Sequence, residues 1–567
     1  MKKLTYFFLF IPVLFLAFFY LLPLLKILGV GLVGGWQAFE GIDVNRVLGV
    51  VQFTIVQAAV SSALTLLLGI PAAYLFYRYQ FPHKDLLYML TAVPFMLPTV
   101  VVASGFNGLA GPSGLVNTIF KILSGEPRPI LEFTGTLAAI LVAHVFYNAT
   151  VVIRMVRGSL ERQDPTLVAA ARTMGATQWQ AFRWVTLPSL LPAAAASAFM
   201  VFFFDFTSFG VVLMLGGAKF STLEVEIYNQ TMRFLNLPYA SLLSLIQVGF
   251  TAIFAVFYSR LSSSRSGASA RLKWNIAHLP KTGAEKLAAG VGVSTLWLFF
   301  TLPVLALPVR SITNLEAIVR DGFDWQRLIT VQHYVGLFFN PRDSYFYVPP
   351  FQALFNSLMF GGGTIALSLL IGLPTALIIS RRASLQSWIE PLFILPLGTS
   401  SVTLGLGYLL FFNRPLWGAD SLIASPWLLP FAHTAIALPF VLRNLLAGIQ
   451  AIPPSYHQAA RVLGASPRQI LASIDLPILR GAIVRSAAFA FTISLGEFGA
   501  TSLIGRPEYP TLPTAIYRLI SQPGAANFGQ AMALSTILFV LCAAGIYLIE
   551  RDGANQPVAS NREDNGF

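Results

Sequence analysis

The sequence predicts an all-α polytopic membrane protein, with about twelve transmembrane helices in two parallel six-helix repeats. Three observations predict this fold class: the composition, the spacing of long apolar runs, and an internal duplication. The 567 residues are 56% hydrophobic and 11% charged, and their mean hydropathy is +0.70. A soluble chain of this length would expose far more charge, so most of this chain is expected to lie in lipid.

Apolar runs long enough to cross about 30 Å of hydrocarbon recur along the whole chain. Those of the first part lie near residues 6–25, 51–77, 86–106, 137–156, 191–215 and 240–258. Those of the second part lie near residues 288–309, 355–379, 389–412, 423–442, 483–504 and 530–549. The first run is too long for the core of a signal peptide, and no small-residue cleavage site follows it. We therefore expect it to remain as a transmembrane helix.

The distribution of basic residues predicts the orientation. If the N-terminus is inside, most of the 37 lysines and arginines fall in cytoplasmic segments, as the positive-inside rule requires. Both termini are then cytoplasmic. The same bias accounts for the net charge of +13, so nucleic acid is not expected as a partner. The single cysteine, Cys542, excludes an internal disulfide and a cysteine-based metal cluster.

Composition and span spacing divide the chain into four parts. Residues 1–259 form a first six-span half, and residues 288–550 form a second. Between them, residues 260–287 are rich in serine, glycine and basic side chains, which is typical of a cytoplasmic linker. Residues 551–567 form a polar cytoplasmic tail.

The two halves are copies of one plan. A constant shift of 289 positions carries His144 to His433 and Tyr228 to Tyr517. Nearer the start of each half the shift is slightly larger, and Pro71 matches Pro374. Because each half has an even number of spans, the copies share one orientation. A pseudo-two-fold axis along the membrane normal should relate them and should create one central pathway that both halves line.

The duplication includes a polar stretch between two spans of each half. The first copy is AAARTMGATQWQAFRWVTLP, Ala169 to Pro188, and the second is QAARVLGASPRQILASIDLP, Gln458 to Pro477. A proline at the first helical position, Pro165 or Pro454, opens a short helix just before each stretch. The pattern predicts a helix–turn–helix in both copies.

Glycine and capping residues mark the turn in each copy. Gly175 and Gly464 suit the left-handed position that ends a helix. Capping boxes at 177–180 and 466–469 then begin a second short helix. An ordinary loop explains one such copy, whereas two copies in register on the same membrane face predict a partner that presents two equivalent grooves. We expect bulky substitutions at either glycine to uncouple this partner from transport.

These loops resemble the EAA loop of ABC importer permeases, whose pattern is E-A-A-x-x-x-G-x(9)-I-x-L-P. The leading acid is absent, because Ala169 and Gln458 occupy its position, and Val185 stands where the second copy has Ile474. The resemblance implies a type I ABC importer permease-like fold, in which each loop is a coupling helix seated in a groove of a cytoplasmic ATPase. The residues that match the motif in the first loop are Ala170, Ala171, Arg172, Gly175, Ala176, Leu187 and Pro188. Those in the second loop are Ala459, Ala460, Arg461, Gly464, Ala465, Leu476 and Pro477.

The resemblance also implies partners and a location. It implies two copies of a cytoplasmic ABC ATPase, an extracytoplasmic solute-binding protein, and a bacterial inner membrane. Among such permeases, a fused two-half chain is most similar to the ferric iron and thiamine permeases, and the segments 209–228 and 494–517 carry that likeness. The cargo implied is a small, cationic nutrient. Sulfate, phosphonate and polyamine cargo remain open alternatives.

The chain carries no motif for its own ATP chemistry. The pattern G-x-x-x-x-G-K-[ST] is absent from the sequence, so no P-loop can hold nucleotide phosphates. We expect no cofactor on this chain, and ATP and Mg²⁺ to be used by a partner ATPase. No catalytic constellation or metal motif is found, and an enzymatic function is not expected.

Four ionisable residues lie within predicted spans, where charge is costly and usually faces a pathway or a partner. Asp205 and Glu497 suit a pathway for a cation, or a hydrogen bond to a neighbouring helix. They are not repeat-equivalent, because Asp205 aligns with Ser494 and Glu497 with Ser208. The repeat-equivalent His144 and His433 could ligate ferric iron, but a bond between helices is favoured.

Two other classes of membrane protein remain as alternatives. An ion-coupled secondary transporter also has twelve spans in parallel halves, and it would need broken helices and buried ion ligands. It has no use for paired cytoplasmic coupling loops. A polytopic membrane enzyme is disfavoured because no catalytic constellation is present.

Overall fold

A computed structural model describes residues 10–33, 43–126, 128–263, 277–321, 328–339, 349–380, 392–393, 395–415 and 421–554. In these ranges the regular elements are helices, with two isolated β-bridges and no longer strand. The helices of the first half that the following description needs are α1 (Phe10–Leu32), α2 (Val44–Arg78), α3 (Thr99–Ala110), α4 (Leu137–Glu161), α5 (Pro165–Thr173), α6 (Leu187–Phe206), α7 (Gly210–Leu215), α8 (Leu223–Met232) and α9 (Leu237–Ser263).

The second half repeats this order. The helices of this half that the description needs are α10 (Gly283–Ser311), α11 (Pro350–Ile379), α12 (Ser401–Phe412), α13 (Leu428–Gln450), α14 (Pro454–Val462), α15 (Leu476–Gly496), α16 (Gly499–Ile504), α17 (Leu512–Ser521) and α18 (Ala525–Ala554). Among the described residues, 11 helices are long and apolar enough to cross a membrane. The shorter α12 takes the place of the remaining predicted span, so the predicted fold class is confirmed.

Four predicted spans differ in their limits because the chain breaks inside them. One is the run 389–412, in which α12 begins at Ser401. The run 86–106 was expected to be continuous, but α3 begins at Thr99 after Pro98, since proline cannot donate a helical hydrogen bond. The runs 191–215 and 483–504 are each two helices, which meet at Phe209 and at Phe498. These last two breaks are repeat-equivalent, so they belong to the shared plan of the halves.

The predicted linker, residues 260–287, is helical at both of its ends. Helix α9 continues to Ser263, and α10 begins at Gly283. A capping box between Thr282 and Glu285 fixes this earlier start. Residues 264–276 and 555–567 lie outside the described residues, and with them the middle of the predicted linker and most of the predicted tail.

The first helix of each half packs against the other half. Helix α1 packs on α12, and α10 packs on α3. The contacts are close enough to require glycine: a Cβ on Gly105 would lie 2.6 Å from the Pro303 carbonyl oxygen, and one on Gly407 would lie 2.9 Å from that of Pro23. The two halves therefore pack against each other through equivalent contacts, as a pseudo-two-fold relation requires.

Candidate coupling surface and translocation pathway

Each coupling loop begins with a short helix whose start is fixed locally. Pro165 opens α5 and Pro454 opens α14. The Asp164 carboxylate accepts a bond of 2.9 Å from the Thr166 backbone amide. This exposed carboxylate also accepts from the Thr166 hydroxyl, and the side-chain and backbone bonds together hold its pKa below the usual range. The second loop has Pro453 at the corresponding cap position, without a side-chain bond.

The turn that ends each coupling helix is the same in both copies. Gly175 has a φ of +91° and Gly464 a φ of +79°, which is the predicted left-handed conformation. The Ala176 amide donates to the Ala171 carbonyl at 3.1 Å, and its equivalent Ala465 donates to Ala460 at 2.9 Å. Such bonds are typical of a Schellman motif, which satisfies carbonyl groups at a helix end.

The second short helix is also confirmed, but it continues in a way that the sequence did not reveal. Both capping boxes form, at Thr177–Gln180 and at Ser466–Gln469. One turn of π-helix follows in each copy, over Phe182–Thr186 and over Leu471–Asp475. The Leu–Pro pairs, 187–188 and 476–477, then lie in the first turns of α6 and α15. Each loop is therefore joined to its transmembrane helix without a break.

The outer face of each coupling helix is exposed and partly apolar. The first loop presents Leu167 and Met174, with 55% and 83% of their surfaces exposed. Their repeat equivalents Tyr456 and Leu463 are 50% and 85% exposed. Of the predicted motif residues, the first alanine and the arginine of each copy are exposed, whereas the second alanine is turned toward the protein. These exposed alanines and arginines are Ala170, Arg172, Ala459 and Arg461. The two loops thus present one apolar pattern twice.

The predicted pathway residues form a buried cluster in each half. In the first half, His144 Nε2 lies 2.8 Å from the Ser208 hydroxyl, and His144 Nδ1 lies 3.5 Å from the Asp205 carboxylate. In the second half, His433 Nδ1 lies 2.7 Å from the Ser494 hydroxyl. Its Nε2 lies 3.6 Å from the Glu497 carboxylate. Each histidine therefore faces one acid and one serine. The position that holds the acid in one half holds the serine in the other half.

The two acids are held in different ways. The Asn148 amide donates to Asp205 at 2.7 Å, across the interface between α4 and α6. Glu497 instead accepts bonds of 2.9 Å from the backbone amides of Ala500 and Thr501, and so caps the start of α16. Both histidines bond to neighbouring elements, as the helix–helix interpretation predicts. The acids lie inside each half rather than on an open surface, with Asp205 1% and Glu497 7% exposed.

Glycines bring the broken helices close to their neighbours. A Cβ on Gly210 would collide with the Thr99 hydroxyl, and one on Gly499 with the Ser401 hydroxyl. Thr99 and Ser401 are the first residues of α3 and α12. These equivalent contacts place both breaks at the centre of the molecule. They lie beside α3 and α12, which are the helices that pack against the other half.

An aromatic stack closes the centre. The rings of Phe209 and Phe498 are stacked, with centroids 5.3 Å apart. Phe209 packs on Tyr228 at 5.4 Å, and Phe498 packs on Tyr517 at 5.5 Å. Both pairs are repeat-equivalent, so the pseudo-two-fold axis passes between the two phenylalanines. A pathway along that axis is shut at this stack.

A cavity of about 1420 Å³ adjoins the stack. Tyr517 lines this cavity and also packs on Phe498. Gly135, just before α4, lines it as well. The first coupling loop follows the far end of α4, and a helix of 25 residues is about 37 Å long. The cavity therefore opens at the end opposite the coupling loops.

Two acids that the sequence reasoning missed lie near the cavity. Glu226 lines it and accepts a bond of 2.9 Å from Arg46. Glu224 is 1% exposed and accepts a bond of 2.5 Å from Ser400 of the second half. Both occur in the segment LEVEIY, inside the stretch 209–228 on which the subgroup resemblance rests. The available signal was their place in an apolar segment that carries few other charges.

Two repeats of membrane-spanning helices, each with the same exposed polar loop, are the architecture expected of a membrane transport component. The chain belongs to the family of binding-protein-dependent transport system inner membrane components, whose model matches residues 65–266 and 368–550. It is accordingly an ABC permease, a multi-pass inner-membrane transport subunit rather than a catalytic ATPase.

Several curated proteins are similar over nearly the whole chain. The thiamine transport system permease protein ThiP of Brucella abortus is 27% identical, over 93% of this chain and 91% of its own length. ThiP of Escherichia coli K12 is 26% identical, over 88% of each chain. A probable ABC transporter permease protein, y4fN of Sinorhizobium fredii, is 23% identical over 94% of each chain. The fused two-half form is thus shared with these relatives.

Proposed function

We propose that this permease imports thiamine or a close chemical relative, which an extracytoplasmic binding protein delivers, with ATP hydrolysed by two copies of a cytoplasmic ATPase. The proposed cargo is that of several similar proteins, which are thiamine transport system permeases. The observation that carries the mechanism is the continuity between each coupling loop and the helix that ends at the central aromatic stack. On this proposal, the face with the coupling loops is cytoplasmic and the cavity opens outside.

The mechanism requires a motion at the loops to reach the stack. Helix α6 runs from the first loop to Phe206, three residues before Phe209, and α15 runs from the second loop to Gly496, just before Phe498. When two bound ATPases close on ATP, they draw the loops together and turn these helices. The stack then parts, and the cavity becomes continuous with the central pathway. Differential binding of ATP to the closed ATPase pair supplies the shift between the two states.

Uptake of labelled thiamine and of labelled ferric iron, in cells with the gene intact and disrupted, tests the cargo. We expect thiamine uptake to be lost and iron uptake to be unchanged. Loss of iron uptake alone would contradict the thiamine assignment and favour the other cargo that the sequence suggested. Loss of neither would exclude both and direct attention to sulfate, phosphonate or polyamine cargo.

Co-purification tests the partners separately. A tagged permease should retain an ABC ATPase polypeptide in mild detergent, with two ATPase copies for each permease chain. Purification of an active transporter without any ATPase would contradict the proposal and favour ion coupling.

A further inference from the structure

The two coupling loops are attached to their transmembrane helices by different side chains. In the second loop, His457 of α14 bonds to Asp475 at the end of the π-turn, with Nε2 and Oδ1 2.6 Å apart. Asp475 is 2% exposed, and the His457 side chain is 28% exposed. The repeat equivalents in the first loop are Val168 and Thr186, which cannot form this charged contact.

The first loop has an aromatic attachment instead. Trp179 stacks on Phe182 with centroids 5.6 Å apart, and Phe182 meets the edge of Tyr74 on α2 at 6.5 Å. The equivalents of these three residues in the second half are Arg468, Leu471 and Leu377. No aromatic chain can form there, so each loop has the attachment that the other lacks.

We propose that the bond between His457 and Asp475 is a positioning contact that makes the second coupling helix and α15 move as one body. This inference rests on the proposed function, because it concerns how ATPase motion reaches the pathway. Asp475 ends the π-turn from which α15 continues, so a pull on α14 through His457 acts directly at the base of that helix. His457 and Asp475 are positioning residues, and neither touches the cargo.

The physical argument is that a buried carboxylate binds its partner firmly. Breaking a hydrogen bond to a buried carboxylate is more costly than breaking an exposed ion pair. The contact therefore resists being stretched when the ATPase pulls on α14. Aromatic packing gives the first loop a comparable but non-ionic link to α2.

The decisive variant copies the first loop into the second. His457→Val combined with Asp475→Thr removes both members of this pair, and valine and threonine already occupy the same register in the first loop, at Val168 and Thr186. We expect the complex to assemble and to hydrolyse ATP, with thiamine uptake per ATP reduced by about fivefold or more, the lower range of coupling between linked sites.

Three control variants keep the coupling. His457→Gln and Asp475→Asn each keep a hydrogen-bonding group, and each should retain most of the coupling. Val168→Ala, at the matched position of the first loop, should leave coupling unchanged.

A second readout does not depend on the cargo. Phe498→Cys introduces a thiol beyond the end of α15, and its labelling rate should change when ATP and vanadate trap the ATPase pair. We expect that change to be lost in the double variant and kept in Val168→Ala.

The outcomes separate the two proposals. If the wild-type complex does not take up thiamine, the cargo assignment fails, and the labelling experiment still tests the contact. An unchanged labelling response in the double variant overturns the positioning role. So does loss of ATPase co-purification, because the contact would then serve docking rather than transmission.

Discussion

Gly175 and Gly464 show how one residue type serves the coupling loops. Both have positive φ angles, and a Cβ at either position would meet no other atom within 4 Å. The expectation from sequence was that bulky side chains would interfere there. The structure gives a different reason for glycine, since space is available but the backbone is left-handed. Residues with a Cβ reach that conformation at a cost of about 1–2 kcal/mol, and asparagine does so most easily.

This distinction predicts different results for two substitutions of similar size. Gly464→Asn should retain coupling, because asparagine tolerates the left-handed region. Gly464→Val should release the turn and reduce uptake per ATP hydrolysed, because a β-branched residue is strained there. The measurement is transport and ATPase activity of the reconstituted complex. Equal loss in both variants would show that side-chain bulk at the docking surface matters instead.

The exchanged acid and serine show what sequence alignment could and could not reveal at this scale. The shift of 289 already paired Asp205 with Ser494 and Ser208 with Glu497. It could not show that both positions face the same histidine, because that depends on where the helix breaks. The structure shows that the two halves build one histidine–acid–serine cluster from different positions of the chain. From the alignment alone, Asp205 and Glu497 are unrelated, because they do not occupy equivalent positions of the repeat.

At the scale of helices, the close crossings of the two halves depend on glycines, because a Cβ at these positions would lie too near the opposite helix. The atoms nearest to a Cβ on Gly407 would be the carbonyl oxygen and carbon of Pro23. These backbone atoms cannot move aside as the end of a flexible side chain can. Gly105 meets Pro303 in the equivalent way. These two contacts hold α1 against α12 and α10 against α3, and so hold one half in the other.

Gly407→Ala is therefore expected to destabilise the protein by about 1–3 kcal/mol, the usual cost of overpacking a close contact. The matched control is Gly362→Ala in α11, where a Cβ would meet nothing within 4 Å. Thermal unfolding in detergent should show a lower Tm for the first variant and an unchanged or slightly higher Tm for the second. Similar Tm values for both variants would mean that the crossing is not held at this distance.

Prediction of the elements succeeded where local chemistry decides structure. Prolines, glycines and capping boxes gave both coupling loops to within a residue or two, because each signal acts on its own neighbours. The π-turns at 182–186 and 471–475 were not predicted, since no residue type marks an i to i+5 bond. The breaks at Phe209 and Phe498 were missed for a related reason. Asp205, Thr207 and Ser208 precede the first break, and Gly496 and Glu497 precede the second, but a few polar residues or glycines do not show where a long apolar run stops being helical.

The broken helices also bear on the choice between classes of transporter. Broken helices and buried ion ligands are expected of an ion-coupled transporter, and this chain has both helix breaks and buried acids. They occur, however, in a chain whose two halves match an ABC permease family. In this protein Glu497 caps the helix that follows the break, so a buried acid has a structural use without any coupled ion.

At the scale of the whole molecule, the pseudo-two-fold axis and the closed pathway meet at one pair of rings. Phe209 and Phe498 are equivalent by the repeat, they stack on each other, and each has a tyrosine from its own half behind it. The cavity lies on one side of this stack, and the coupling loops lie at the other end of the helices that lead to it. Any passage along the axis must separate these two rings.

Joining the two positions should therefore stop transport without stopping ATP binding. The chain has one cysteine, Cys542, which is buried, so introduced thiols can be bridged with little background. Phe209→Cys with Phe498→Cys, joined by a disulfide or a short bifunctional thiol reagent, should hold the pathway closed and abolish uptake. A reductant should restore uptake of the disulfide form, and either single variant should remain active.

Trapping the ATPase pair with ATP and vanadate should lower the yield of the bridge between positions 209 and 498, because these positions then lie farther apart. Full uptake by the bridged protein would place the pathway elsewhere, inside one half rather than between the two, and the histidine–acid–serine clusters would become the first positions to mutate.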